Sequence, residues 1–291
     1  MMSAEYVEVD VATDICASCG IAEIDDIDFK KCDDCDLVRY CSDKCQQDHS
    51  QQHEAKCKER EAELRDDILF RQPDSSHLGD CPICFLPLPI DQQKSTLMGC
   101  CCKNICKGCV YADRMRHACP FCRHPVPETK EEANKIAMKR VAANDPVAMR
   151  VIGMNHYDEG DYESAFEYYT KAAELGDIDA HHLLAVSYRK GKGVEKDKKL
   201  EVHHFEEAAI GGQATARNVL AFHENQNGKI ERAMKHFIIA ANLGDDDSIL
   251  MLKECYTDGL VSKEDFAGAL RAHYAAADAM KSAQREAAEA V

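Results

Sequence analysis

The chain has 291 residues, 17 cysteines, no tryptophan, and 36 basic against 52 acidic side chains, a formal charge of −16. That length holds two or three domains, and so acidic a chain, with its Lys and Arg dispersed among acids, disfavours nucleic acid as a partner. No apolar run approaches the ~18 residues of a membrane span. The opening MMSAEYVEVDVATD has neither a basic nor an apolar leader region. The expectation is an intracellular protein, cytoplasmic and/or nuclear, in which clustered thiols hold metal rather than form disulfides.

Sixteen of the cysteines fall between Cys16 and Cys122, in two clusters. The first reads Cys16-x2-Cys19, Cys32-x2-Cys35, Cys41-x3-Cys45, His53-x3-Cys57. A Cys-x2-Cys pair brings two thiolates to one metal from a tight turn, and i, i+4 pairs put two ligands on one face of a helix. Eight ligands make two tetrahedral Zn²⁺ sites, and a segment of forty-odd residues needs them to fold. The segment KCDDCDLVRYCSDKCQQDHSQQHEAKC resembles the MYND-type zinc finger, over residues 14–57. The resemblance implies that Cys16, Cys19, Cys41 and Cys45 hold one zinc and that Cys32, Cys35, His53 and Cys57 hold the other. Ser50 stands where that family usually carries a tryptophan of its peptide groove, and the gap IAEIDDIDFKK is long and acidic. His49 is read as a solvated helix residue rather than a ligand.

KEREAELRDDILF then reads as a helix to about Phe70, within a linker over 58–79, broken by RQPDSSHLGD. The second cluster has four parts: Cys81-Pro-Ile-Cys84, Cys100-Cys101-Cys102, Cys106-x2-Cys109 and Cys119-Pro-Phe-Cys122-Arg123. Nine thiols are one more than two tetrahedral sites require. The pattern over 80–125 is similar to an all-cysteine RING finger. That resemblance implies Cys81, Cys84, Cys106 and Cys109 on one zinc. It places Cys119 and Cys122 with two of the trio on the other, Cys101 and Cys100, with Cys102 as the alternative to Cys100. It also implies a surface for a ubiquitin-conjugating enzyme at Ile83, Pro120 and Arg123. About four Zn²⁺ per chain are expected.

After a linker, HPVPETKEEANK, the chain becomes Ala-rich and repetitive over 145–282. KAAELGD, EAAIGGQ and IAANLGD end successive units at Gly176, Gly212 and Gly244, and AAADAM ends a fourth near Met280. Ala148, Ala180, Ala216 and Ser248 correspond, as do Ile152, Leu184, Leu220 and Leu252. Small residues where helices meet, apolar residues four later and a closing Gly make a helix–turn–helix unit that must stack on its neighbours. The units resemble Sel1-like repeats. Glu201 breaks the alanine series of Ala165, Ala233 and Ala269, and His273 breaks the aromatic series of Tyr169, Phe205 and Phe237; looser packing or an edge position is expected at both. The neighbouring pairs His181–His182 and His203–His204 point about 100° apart on a helix and are poor paired ligands. Cys255 reads as a small buried hydrophobe.

The expected fold class is mainly α: two small zinc-stabilised cross-brace modules, then an α-solenoid of about four helix–turn–helix repeats. The leading functional expectation is a RING-type E3 ubiquitin ligase or ligase subunit, with protein partners docking on the MYND surface and the repeats. The competing class is a non-catalytic adaptor with structural zincs. A zinc-dependent transcriptional regulator is third, opposed by the charge.

Overall fold

The structure is a computed structural model that describes residues 15–21 and 29–290. Residues 1–14 and most of the acidic gap after Cys19 lie outside the described residues. The chain forms two compact units, residues 1–69 and 70–291.

In the first unit β1 (Lys30–Lys31) pairs antiparallel with β2 (Arg39–Tyr40), Lys30 opposite Tyr40. A single helix α1 (Asp43–Leu69) follows. Its residues are polar on every face, so packing of an apolar stripe does not explain it; it carries Cys45, His53 and Cys57. The buried side chains of this unit's core are the ligand thiols and Tyr40. Cys41 precedes the helix, which corrects the reading of Cys41 and Cys45 as an i, i+4 helical pair: Ser42 is a bend, and the two sulfurs meet across the helix start.

The second unit opens with residues 70–79, which form neither helix nor strand. A hairpin follows, β3 (Ser95–Met98) and β4 (Lys103–Cys106), with Ser95 opposite Cys106, and then a short helix α2 (Lys107–Ala112). The stretch expected to be a linker runs into α3 (Lys130–Val141), whose first turn is capped by Thr129 accepting from the Glu132 N–H. Four helical hairpins come next. They are α4 (Pro146–Asp158) with α5 (Tyr162–Glu174), α6 (Ile178–Lys190) with α7 (Lys198–Ile210), α8 (Ala214–Gln226) with α9 (Ile230–Asn242), and α10 (Asp246–Thr257) with α11 (Lys263–Ala279). A last short helix, α12 (Ala283–Glu289), ends the chain.

The Gly-Asp signature has a plain cause. Gly176 and Gly244 take φ of +87° and +94° to end one helix, and the next residue, Asp177 or Asp245, caps the following helix through the N–H of Ala180 or Ser248. The caps also tie repeats together: Arg150 donates to Asp177, and Asn218, two units on, donates to Asp245. Ala148, Ala180, Ala216 and Ser248 are wholly buried where helices cross, with Ile152, Leu184, Leu220 and Leu252 packed beside them.

The two irregular repeat positions are not loosely packed. Glu201 is only 4% exposed and accepts from Arg189 at 2.8 Å and Lys198 at 3.1 Å. His273 is also buried, with its Nε2 3.3 Å from Asp246. The histidines pair across helices rather than along them: His181 and His204 Nδ1 atoms lie 3.1 Å apart, and His204 stacks on Tyr188. Cys255 is half-buried against the last repeats' apolar core.

The inter-repeat turns form one edge, and residues 75–108 lie along it. Pro82, Leu88 and Asn104 share a cleft with Pro146, Gly176 and Asp177 of the first repeats. Pro89, Lys94 and Gly108 share another with Gly244, Met280 and Glu286 of the last. Arg285 on α12 is buried there and donates to the carbonyls of Pro87 (2.7 Å), Leu86 (3.2 Å) and Met280 (2.8 Å).

Candidate metal centres

Four Cys-x2-Cys turns have one construction. The N–H of the first cysteine donates to a carbonyl five or six residues on: Cys16 to Ile21, Cys32 to Val38, Cys81 to Leu86, Cys119 to His124. The carbonyl of that same cysteine accepts from the residue just after the second cysteine: Gly20, Asp36, Phe85 and Arg123. All four of these residues are left-handed, with φ of +73°, +57°, +58° and +64°. For a non-glycine residue that conformation costs on the order of 1–2 kcal/mol.

Three of the turns also lower the pKa of their first thiol, at Cys16, Cys81 and Cys119. Burial pushes Cys16 up, but the backbone N–H groups of Cys19, Cys41 and Ser18 outweigh it and bring the thiol down to about 6. Cys81 behaves likewise, at about 7, through the N–H groups of Cys84, Cys106 and Ile83. Cys57 goes the other way: burial and the thiols of Cys32 and Cys35 push it up to about 12. A cluster of this kind needs a cation to hold all its sulfurs ionised.

The structure brings the side chains together in four sets, each with its ligand atoms within 4.8 Å of one another. They are Cys16, Cys19, Cys41 and Cys45; Cys32, Cys35, His53 and Cys57; Cys81, Cys84, Cys106 and Cys109; and Cys100, Cys101, Cys119 and Cys122. The neighbouring S···S distances run from 3.4 to 3.8 Å. A tetrahedron with Zn–S bonds of about 2.3 Å has edges of about 3.8 Å. His53 presents Nε2 3.1 Å from Cys35, and burial, followed by the nearby His49, lowers its pKa and favours the neutral ring a metal requires. The chain binds Zn²⁺, and these four donor sets fit it.

The surplus thiol is placed by the hairpin turn. The N–H groups of Cys101 and Cys102 both donate to the Met98 carbonyl, and Cys102 is left-handed at φ +52°. Cys100 and Cys101 thereby face Cys122 and Cys119, at 3.4 and 3.8 Å. Cys102 turns to the Gly99 carbonyl and the Arg140 guanidinium. His49 is not a solvated residue: it is half-buried, hydrogen-bonded at Nδ1 to the Tyr40 hydroxyl (3.0 Å), and stacked on His53.

Residues 16–57 match the family model of the MYND finger, and residues 146–177, 178–213 and 225–245 match that of the Sel1 repeat. The first module is a MYND finger, and the helical region carries Sel1 repeats. Among solved structures, a Sel1 repeat protein from Oxalobacter formigenes is 26% identical, with a TM-score of 0.46, over 59% of this chain and 70% of that one. A protective antigen of uropathogenic Escherichia coli with an SLR fold is 22% identical, with a TM-score of 0.42, over 58% of this chain and 37% of its own length. No curated protein is a significant match to the chain. MYND fingers and Sel1 repeats are protein-interaction modules, so the partners are proteins and the role is one of binding. Among the described residues no helix is long and apolar enough to cross a membrane.

On the MYND finger, Ser50 is exposed and its hydroxyl donates to the Gln47 carbonyl, so the helix presents no aromatic wall at that position. In the second module Ile83 is 36% exposed, Pro120 is half-buried, and Arg123 is exposed with its Nη1 2.5 Å from Asp113. Three exposed apolar residues escaped the sequence reading: Phe85 at 75%, Met115 at 80% and Phe121 at 44%. Phe85 and Phe121 each adjoin a ligand cysteine, and that adjacency was the available signal.

Proposed function

We propose that this protein is a zinc-built docking platform in which the 80–125 module receives a ubiquitin-conjugating enzyme. The MYND finger and Sel1 repeats would recruit the protein to be modified. The observation that carries this is the matched pair of knuckles. Each holds the residue after its second cysteine, Phe85 or Arg123, left-handed with the side chain turned to solvent, beside Ile83 in one loop and Pro120 in the other. Strain kept in exposed side chains is not explained by packing. In this reading each zinc has four protein ligands and no open position, so the metal performs no chemistry. The module acts by holding a thioester-charged partner in a restrained geometry, and a guanidinium at Arg123 suits hydrogen bonding to two proteins at once. The proposed setting is intracellular.

The test is autoubiquitination with a panel of conjugating enzymes, using protein purified without chelator. The expected outcome is activity that falls at least about tenfold in Ile83→Ala and in Arg123→Ala. Activity untouched by both would refute the assigned surface. The alternative is a non-catalytic adaptor, favoured by the Asp113–Arg123 ion pair, which already engages the guanidinium; absence of activity with every enzyme would establish it. Elemental analysis should give four zinc ions per chain, and two or fewer would contradict the ligand sets.

A further inference from the structure

Residues 70–77 lie on the repeats as a bound peptide would. The segment is irregular and is held by two separate docks. At one, the Phe70 ring packs on His236 with ring centroids 4.8 Å apart, under the Arg232 guanidinium (4.7 Å) and the Lys235 ammonium (5.3 Å). Next to it, Asn242 donates to the Gln72 side-chain carbonyl at 2.9 Å, and Arg217 Nη2 reaches the Arg71 carbonyl at 3.5 Å. At the other dock, the His77 N–H donates to the Gly212 carbonyl (3.2 Å), and its Nε2 lies 3.0 Å from Asp179, which Arg150 and Gln213 also hold. Between the docks the Ser75 carbonyl crosses Gly212 so closely that a Cβ there would stand 2.8 Å from it.

Three of these contacts use the segment's backbone, at Arg71, Ser75 and His77, and accept many sequences. The others select side chains: cations around an aromatic ring with an amide at Gln72 beside it, and a carboxylate facing a base. His236 is wholly buried beneath Phe70, and among the described residues neither of its ring nitrogens has a hydrogen-bond partner. The internal segment therefore leaves a polar group in the dock unsatisfied, which is costly for a permanent core contact.

We propose that this edge of the repeats is a peptide-docking site and that residues 70–77 occupy it as an internal ligand. A partner's extended segment, with an aromatic residue and a basic residue seven positions later, binds by displacing them. A tethered segment competes at an effective concentration in the millimolar range, so the site opens only to a tighter ligand or when an internal anchor is weakened. The proposal holds whether or not the 80–125 module engages a conjugating enzyme.

The chain has no tryptophan, so Phe70→Trp in the full zinc-loaded protein gives a single reporter at the dock. The probe is a synthetic peptide of residues 68–79, with two controls: a scrambled version and one with Ala for the phenylalanine. Expected is a buried emission maximum that shifts saturably to the red with the peptide but not with the controls. Adding His77→Ala should lower the midpoint about tenfold, the loss of one partly buried charged contact. Emission unmoved by several millimolar peptide, or moved equally by the scrambled one, would overturn the proposal. Fluorescein-labelled peptide with the wild-type chain gives an independent reading: saturable anisotropy supports the site, and none at the same concentrations removes it.

Discussion

Phe85 and Arg123 do the same backbone job as Gly20, yet a glycine in their place would relieve left-handed strain of about 1–2 kcal/mol, offset in part by about 0.5–1 kcal/mol of chain entropy. Phe85→Gly is therefore expected to leave four zinc ions bound and the unfolding free energy unchanged or raised by up to about 1 kcal/mol, while binding of the module's partner is lost. Chemical denaturation and elemental analysis check the first part, and affinity capture of the proposed conjugating-enzyme partner checks the second. Glu201 poses the opposite case, a charge where sister repeats bury alanine. Its ion pairs offset desolvation without a clear surplus. Glu201→Ala should shift stability by less than about 1 kcal/mol, because Arg189 returns to water. Arg189→Ala should cost about 1–2 kcal/mol, less than a fully buried pair because Lys198 remains and Arg189 is itself part-exposed.

At the scale of elements, the helix-ending glycines are not equivalent. Gly160 and Gly212 both have φ near +90°, but a Cβ on Gly160 meets nothing within 4 Å, whereas one on Gly212 strikes the Ser75 carbonyl. Gly160→Ala should cost only the left-handed penalty, about 1–2 kcal/mol. Gly212→Ala should cost about 1–3 kcal/mol more, and the excess should vanish in a chain whose 70–77 segment is already released by Phe70→Ala and His77→Ala. Paired denaturant titrations read this difference directly. The same comparison tells the internal ligand from ordinary helix-end chemistry.

At the scale of the whole molecule, the second zinc module is part of the solenoid's edge, touching the first repeats near Pro146 and the last near Met280, with Arg285 clasping its first loop. Stripping zinc with a strong chelator should therefore do two things. Most helical ellipticity should persist, since the repeats bury their own apolar core. Amide protection at the inter-repeat turns near Gly212 and Gly244 should fall, because loops 81–109 lose the four-ligand centres that shape them. Hydrogen exchange of metal-loaded and stripped protein measures this. Turns protected equally in both states would show the module to be an independent bead on the repeats.

The sequence by itself determined the features that depend on local spacing. Cys-x2-Cys pairs dictate knuckles because a tight turn delivers two thiols to one point, and AAxxG endings dictate helix ends because only glycine closes them without strain. The helix α3 hid inside an apparent linker, since its capping Thr129 and acidic first turn lacked a strong apolar stripe to announce them. Tertiary structure decided whatever depended on partners far along the chain. It chose Cys100 over Cys102, because the turn at Met98 fixes which thiols face Cys119 and Cys122. It buried Glu201 and His273 by supplying Arg189, Lys198 and Asp246. It laid residues 70–77 on an edge built mostly by side chains over a hundred positions away, where Phe70 meets His236. Local periodicity carries no record of such meetings, because they are fixed only when the repeats stack.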